Sequence, residues 1–118
     1  MLPPVFETLK ANSSLTALVG SRIYRHGNAP QNVVKPYLTW YVVTGMPELQ
    51  ISGTPCSDMD TVQIDCWSDT DAQIESVALQ VRNALDNAGH ANRVIQNNRE
   101  DETRLFRIGI EADFITSR

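Results

Sequence analysis

Hydrophobic and polar positions alternate, then switch period, between Thr61 and Leu85. Val62, Ile64 and Cys66 alternate with Gln63, Asp65 and Trp67, the period of a strand with one face on a core. From Ile74 the apolar positions fall at Val77, Ala78, Val81, Ala84, Leu85 and Ala88, one face of a helix. Thr70 precedes Gln73 by three residues, which predicts a capping box between them. Asp69 and Asp71 add negative charge at the positive end of the helix dipole. Gly89 is placed to end the helix in a left-handed conformation.

Residues 3–19 predict a helical segment broken in two. Pro3 and Pro4 suit a first turn, and Val5, Phe6 and Leu9 share a face. Asn12, Ser13 and Ser14 are capping residues, so a second short helix starts there, with Leu15, Leu18 and Val19 buried and Gly20 at its end. Ile23 to Arg25 reads as a short strand and His26 to Lys35 as a loop. Tyr37 to Thr44 is a strand rich in aromatic and β-branched residues. It is apolar on both faces, with Tyr37, Tyr41 and Val43 on one and Leu38, Trp40 and Val42 on the other. Such a strand is expected to be covered twice, by its own domain or by another subunit.

Residues 45–60 form a long connection, read as a projecting hairpin in which Glu48 to Ser52 can extend. Asn92 to Asn97 reads as a strand with Val94 and Gln96 opposite Arg93 and Ile95, and Asn98 to Arg104 as a charged turn. In the last strand, Leu105 to Thr116, Phe106, Ile108, Ile110, Ala112 and Phe114 alternate with Arg107, Gly109, Glu111 and Asp113. The order α-α-β-β-β-α-β-β predicts one α+β domain over residues 1–118. Its antiparallel sheet carries the long helix on one face and a short N-terminal helical pair.

Composition changes this picture little. The chain has 118 residues, 42% apolar and 20% charged, with a net charge of −4. That fits a single globular domain with a core of its own. No apolar run approaches the ~18 residues of a membrane span, and the N-terminus lacks the pattern of a signal peptide. The basic residues are scattered along the sequence, which gives no footprint for nucleic acid. Cys56 and Cys66 lie ten apart without a CxxC or histidine pattern, so both are expected to be reduced structural thiols.

The chemistry of an active site is not evident. His26 and His90 lie in no metal-ligand spacing, and no nucleophile elbow, dinucleotide fingerprint or phosphate loop occurs. Asp58 and Asp60 resemble the start of a calcium loop, but its glycine and closing glutamate are missing. No catalytic residue, cofactor or metal is therefore expected. Glu100, Asp101 and Glu102 read as a solvated turn or a subunit contact. Leu79 stands about 140° from Ile74 around the helix, off the apolar stripe. Trp67 lies on the strand face opposite Val62, Ile64 and Cys66. Together with the two-faced strand, these two residues point to apolar surface left for another chain.

In order and spacing, the chain resembles the small tail-completion proteins of long-tailed bacteriophages and prophages, a family grouped with head–tail joining and tail-terminator proteins. The residues that carry the resemblance are LTALVGSRIY (Leu15 to Tyr24), KPYLTWYVVTGMPE (Lys35 to Glu48), DTVQIDCWSDTDAQIESVALQVRNALD (Asp60 to Asp86) and RLFRIGIEADF (Arg104 to Phe114). The stretch from Gly89 to Arg104 is short for the pattern. The resemblance implies a structural protein that forms a ring, commonly of six copies, at the head-proximal end of the tail tube. It also implies contacts with the tube protein and the head connector, DNA passing through the lumen, and a place in the virion tail after assembly in the host cytoplasm. Six copies would carry about −24 in all, which limits sticking of DNA phosphates.

Candidate subunit or tube contacts are Trp40, Tyr41, Met46, Leu49, Ile51, Trp67 and Leu79. Candidate acidic lumen or contact residues are Glu100, Asp101, Glu102, Glu111 and Asp113. The alternative reading is a small α+β ligand-binding or regulatory module, which would need an apolar pocket with convergent polar groups.

Overall fold

The computed structural model describes residues 2–26, 28–48 and 57–117. Two short helices, α1 (Val5–Lys10) and α2 (Ser13–Val19), precede β1 (Ile23–Arg25), β2 (Tyr37–Glu48) and β3 (Ser57–Ser68). Then follow α3 (Asp71–Asn87), β4 (Asn92–Arg99) and β5 (Phe106–Ser117). The strands form one sheet in the order β1-β2-β3-β5-β4. All neighbours are antiparallel except β1 and β2, which run parallel with Ile23 opposite Leu38. The sheet is thus mixed rather than wholly antiparallel. The segment between Arg25 and Tyr37 carries the chain back along the sheet, so it re-enters in the direction it left.

Alternation decides which side of the sheet is dry. Leu38 and Trp40 of β2, Val62, Ile64 and Cys66 of β3, and Ile108, Ile110, Ala112 and Phe114 of β5 all point toward the helices and are buried. Against them pack Val5 and Leu9 of α1, Leu15 and Val19 of α2, and Ile74, Val77, Val81 and Leu85 of α3. Each buried Val, Leu, Ile and Phe among them contributes about 1.5–3 kcal/mol by leaving water. Phe6, placed by its spacing on the buried face of α1, is instead exposed, because one turn of so short a helix offers the core only Val5 and Leu9.

The helix ends show local chemistry at work. Asn12 Oδ1 accepts from the Leu15 N–H at 3.0 Å and caps α2. At α3 the expected capping box is replaced. Thr70 occupies the cap position but its side chain makes no capping bond. Ser68 Oγ donates to Gln73 Oε1 at 2.7 Å and accepts from the Thr70 N–H at 3.3 Å, because Ser68 is buried at the strand end and aims into the turn. At the other end Gly89 has φ +83°, as its position predicts. The Gly89 N–H donates to Asp86 O and the His90 N–H to Leu85 O, the paired bonds of a Schellman motif.

Two further expectations meet the structure differently. The connection 45–60 is a hairpin whose strands reach Glu48 and resume at Ser57; the remainder of the predicted extension, 49–52, lies outside the described residues. In β4 the register shifts between Val94 and Gln96. Ile95 is the extra residue of a bulge, so Gln96 moves to the face of Arg93 and away from that of Val94.

Candidate assembly surfaces

The second face of the sheet has no helix over it among the described residues. Its side chains cover one another in rows across the strands. Arg93, Glu111, Gln63 and Tyr41 form one row; Gln96, Gly109, Asp65 and Thr39 the next; Asn98, Arg107, Trp67 and Tyr37 a third. Tyr41 donates its hydroxyl to Gln63 Oε1 at 2.8 Å, and Gln63 Nε2 donates to Asp65 Oδ1 at 2.9 Å. Arg107 Nη2 donates to Asp65 Oδ2 at 3.0 Å, and its guanidinium lies 5.2 Å from the Trp67 ring. Trp67 stacks on Tyr37 at 6.1 Å and donates its indole N–H to Thr39 Oγ1 at 3.0 Å. Burial pushes the Tyr37 hydroxyl pKa up, and the nearby Glu100 carboxylate adds to it.

This network buries polar groups without a covering layer: Asp65 is only 4% exposed. Gly109 makes room for it, since a Cβ there would stand 3.1 Å from Asp65 Oδ1. The Asp65–Arg107 pair was not legible in the sequence. Its one signal was a charged residue between Ile64 and Cys66, facing a glycine-containing strand.

Beyond this network, β2, β3 and β5 continue as a three-stranded arm. β1 pairs only with Leu38 to Trp40, and β4 pairs β5 no further than Ala112. The arm brings Met46, Met59 and Ile115 into one row. Ile115 is exposed, and a cleft of about 400 Å³ at the root of the arm is lined by Met59, His90, Asp113 and Ile115 among others. His90 itself stacks on Phe114 at 4.0 Å.

The candidate residues divide accordingly. Trp40 points into the core at 7% exposure, which removes it from the surface available to a partner. Tyr41 and Trp67 sit half-buried on the uncovered face, with their polar atoms partnered. Met46 lies on the arm opposite Met59, and Leu49 and Ile51 lie outside the described residues. Leu79 is 57% exposed beside Val94, which spacing alone did not single out. Asp101 and Glu102 are exposed at the β4–β5 turn and Glu100 is half-buried there. Glu111 and Asp113 are both held by Arg93, at 2.8 and 3.5 Å, so much of their charge is offset within the chain.

Among the described residues, no cluster of His, Cys, Asp or Glu could hold a metal ion, and no helix is long and apolar enough to cross a membrane. Cys66 is a buried free thiol; Cys56 lies outside the described residues.

The model of the family "Tail completion protein gp17" matches residues 3–117. The chain belongs to that family. Tail completion proteins of this family are structural parts of phage tails, and this chain is one of them. A solved structure described as "Virion of native gene transfer agent (GTA) particle" contains a chain of the same fold. The TM-score is 0.70 at 18% identity, over 97% of this chain and 92% of that one. None of the curated proteins matches the chain. The family pattern and the fold agree in their extent: both run from the first helix to the last strand.

Proposed function

We propose that the protein is a ring-forming subunit that caps the head-proximal end of the tail tube and joins it to the head connector, in the virion tail, after assembly in the host cytoplasm. Membership of the tail completion family supports this reading. The observation that carries it further is a sheet with one face left uncovered and an arm that outruns both edge strands. Beyond Trp40 the outer edge of β2, and beyond Ala112 that of β5, have no strand beside them among the described residues, which leaves those edges open to another chain. The role is one of shape and contact, with no reaction catalysed and no cofactor.

Tyr41, Trp67 and the arm around Met46 are proposed contacts with the tube protein or a neighbouring copy, together with Leu79. Asp101 and Glu102 are proposed to face passing DNA: both are exposed at the β4–β5 turn, and no cation pairs with them among the described residues. Like charge there keeps phosphates from sticking.

Deletion of the gene tests the role directly. Tails imaged by electron microscopy are expected to be overlong or headless. Normal virions in the deletion strain would overturn the proposal.

A further inference from the structure

Two long edges of the sheet present backbone groups with no strand beside them among the described residues. The first is β2 beyond Trp40. The Leu38 N–H donates to Arg22 O, and the His26 N–H donates to Trp40 O, where the β1 segment leaves the edge. Past that point strand alternation, with the bulge at Val43, turns the backbone groups of Val42, Gly45 and Pro47 outward. The second is β4 along its length. The Asp113 N–H donates to Ala91 O, so Glu111, Gly109 and Arg107 also turn their backbone groups to β4, and Arg93, Gln96 and Asn98 answer them. The backbone groups of Asn92, Val94 and Asn97 then point away from the sheet.

Charge separates the two edges. No Lys or Arg occurs between Lys35 and Arg82, and the arm carries Glu48, Asp58 and Asp60. β4 carries Arg93 and Arg99 and no acidic residue. Pairing β2 with a second β2 would set acid against acid, and pairing β4 with a second β4 would set arginine against arginine. Charge therefore favours β2 of one copy beside β4 of another.

Direction and register agree with this choice. β2 and β4 run in opposite directions within the sheet, so copies related by rotation about an axis along the strands would join antiparallel. The two free stretches match in length, and each contains one bulge: Val43 within Val42 to Glu48, and Ile95 within Asn92 to Asn98. Asn92 opposite Glu48 puts Asn98 opposite Val42. Glu100 then reaches the level of Trp40, where exposed Arg25 ends β1 and has no ion-pair partner among the described residues. Within one copy Asn92 is level with Ala112, and Glu48 with Ser117. The pairing thus moves each copy along its neighbour by the distance from Ala112 to Ser117, roughly 17 Å, for the roughly 19 Å that four strands span. That is a strand tilt of about 40°, within the range at which sheets close into barrels.

We infer that β4 of one copy adds to the free edge of β2 of the next, antiparallel, with Asn92 opposite Glu48. This inference rests on the ring reading and names its contact. Backbone hydrogen bonds hold the two strands, and Arg93 near Glu48 and Arg25 near Glu100 set the register. Each chain carries both edges, so the contact is head-to-tail, and the strand tilt closes it into a ring. Pro47 has no N–H to give, which keeps the edge of β2 from pairing with strands that lack the matching charges.

Disulfide trapping tests the contact, in the full chain with Cys56→Ser. Met46 and Val94 stand opposite each other in this register. A chain with both Met46→Cys and Val94→Cys, oxidised mildly on assembled tails, should give a ladder of covalent species beyond two chains. A mixture of the two single-cysteine chains should stop at two. Asn97→Pro removes an N–H that points away from the sheet, so it should lower incorporation into tails by about tenfold and leave thermal melting of the free chain unchanged. Asn97→Ala keeps that N–H and should be incorporated as the wild type is.

Rings or capped tails from the double-cysteine chain with no species beyond two would overturn the pairing and leave the ring reading standing. A ladder from a chain with Met46→Cys and Ile115→Cys would also overturn it, because β2 would then join the open end of β5. A cross-link from Met46→Cys to the tube protein would do the same. Wild-type tails that contain the protein without any ring would overturn both.

Discussion

Asp65 Oδ2 accepts a 3.0 Å hydrogen bond from Arg107 Nη2 across β3 and β5, on the sheet face that no helix covers among the described residues. The residues are 42 apart in the chain, and the aspartate is nearly sealed from water by its neighbours. Arg107 Nε is buried without a hydrogen-bond partner, and the guanidinium rests against Trp67 instead.

Removing the carboxylate leaves the arginine charge in a partly dry place. Arg107 keeps 21% of its side chain exposed, so the cost is smaller than for a fully buried pair. Asp65→Ala should lower stability by about 2 kcal/mol, a drop of about 8 °C in melting temperature for a domain of this size. Thermal unfolding followed by circular dichroism measures it. The paired change Asp65→Leu with Arg107→Met should recover much of the loss, because no unpaired charge remains.

Gly109 is there for space, since its backbone conformation is ordinary. A methyl group would press on Asp65 Oδ1, Gln63 Nε2 and the Gln96 Cβ. Asp65 cannot yield easily while Gln63 and Arg107 both hold it. Gly109→Ala should cost about 1 kcal/mol, and less in the Asp65→Ala background, where the obstruction is gone. A double-mutant cycle by urea unfolding gives both values.

At the start of α3, Ser68→Ala should destabilise by about 1 kcal/mol more than Thr70→Ala. Ser68 holds both Gln73 and the Thr70 N–H, whereas the Thr70 hydroxyl holds nothing at the cap. Equal effects in urea unfolding would show that the cap lies where the sequence spacing placed it.

Cys66 gives the pH prediction. Burial pushes its thiol pKa far up, and the neighbouring Asp65 charge adds to the rise. Above the ordinary value of 9.0, the unfolded chain loses this proton while the folded chain keeps it. The unfolded state then binds fewer protons, so stability falls as pH rises past that value. It is fully present below it. Chemical denaturation between pH 8 and 10 should show the decline, and Cys66→Ala should flatten it at the expense of a small cavity. In the native protein at pH 8 the Cys66 thiol should resist alkylation.

The sequence by itself determined the elements and the inner face of β3, β5 and α3. Val62, Ile64 and Cys66 against Ile108, Ile110 and Ala112 were legible because strand alternation is a local property. The stripe of α3, the break at Asn12 and the turn at Gly89 were legible for the same reason, as each is set by a few adjacent residues. A local match could still mislead, since Thr70 and Gln73 have the right spacing while Ser68, held inward by the strand end, does the bonding.

Tertiary structure alone decided which strands are neighbours, that β1 runs parallel to β2, and that the bulge at Ile95 turns Gln96 to the other face. It also decided that Asp65 meets Arg107 and that Leu79 stands beside Val94. These are contacts between residues distant along the chain. Periodicity fixes which face of an element is dry, but pairing and register depend on the combined packing of all the elements, which no single stretch encodes.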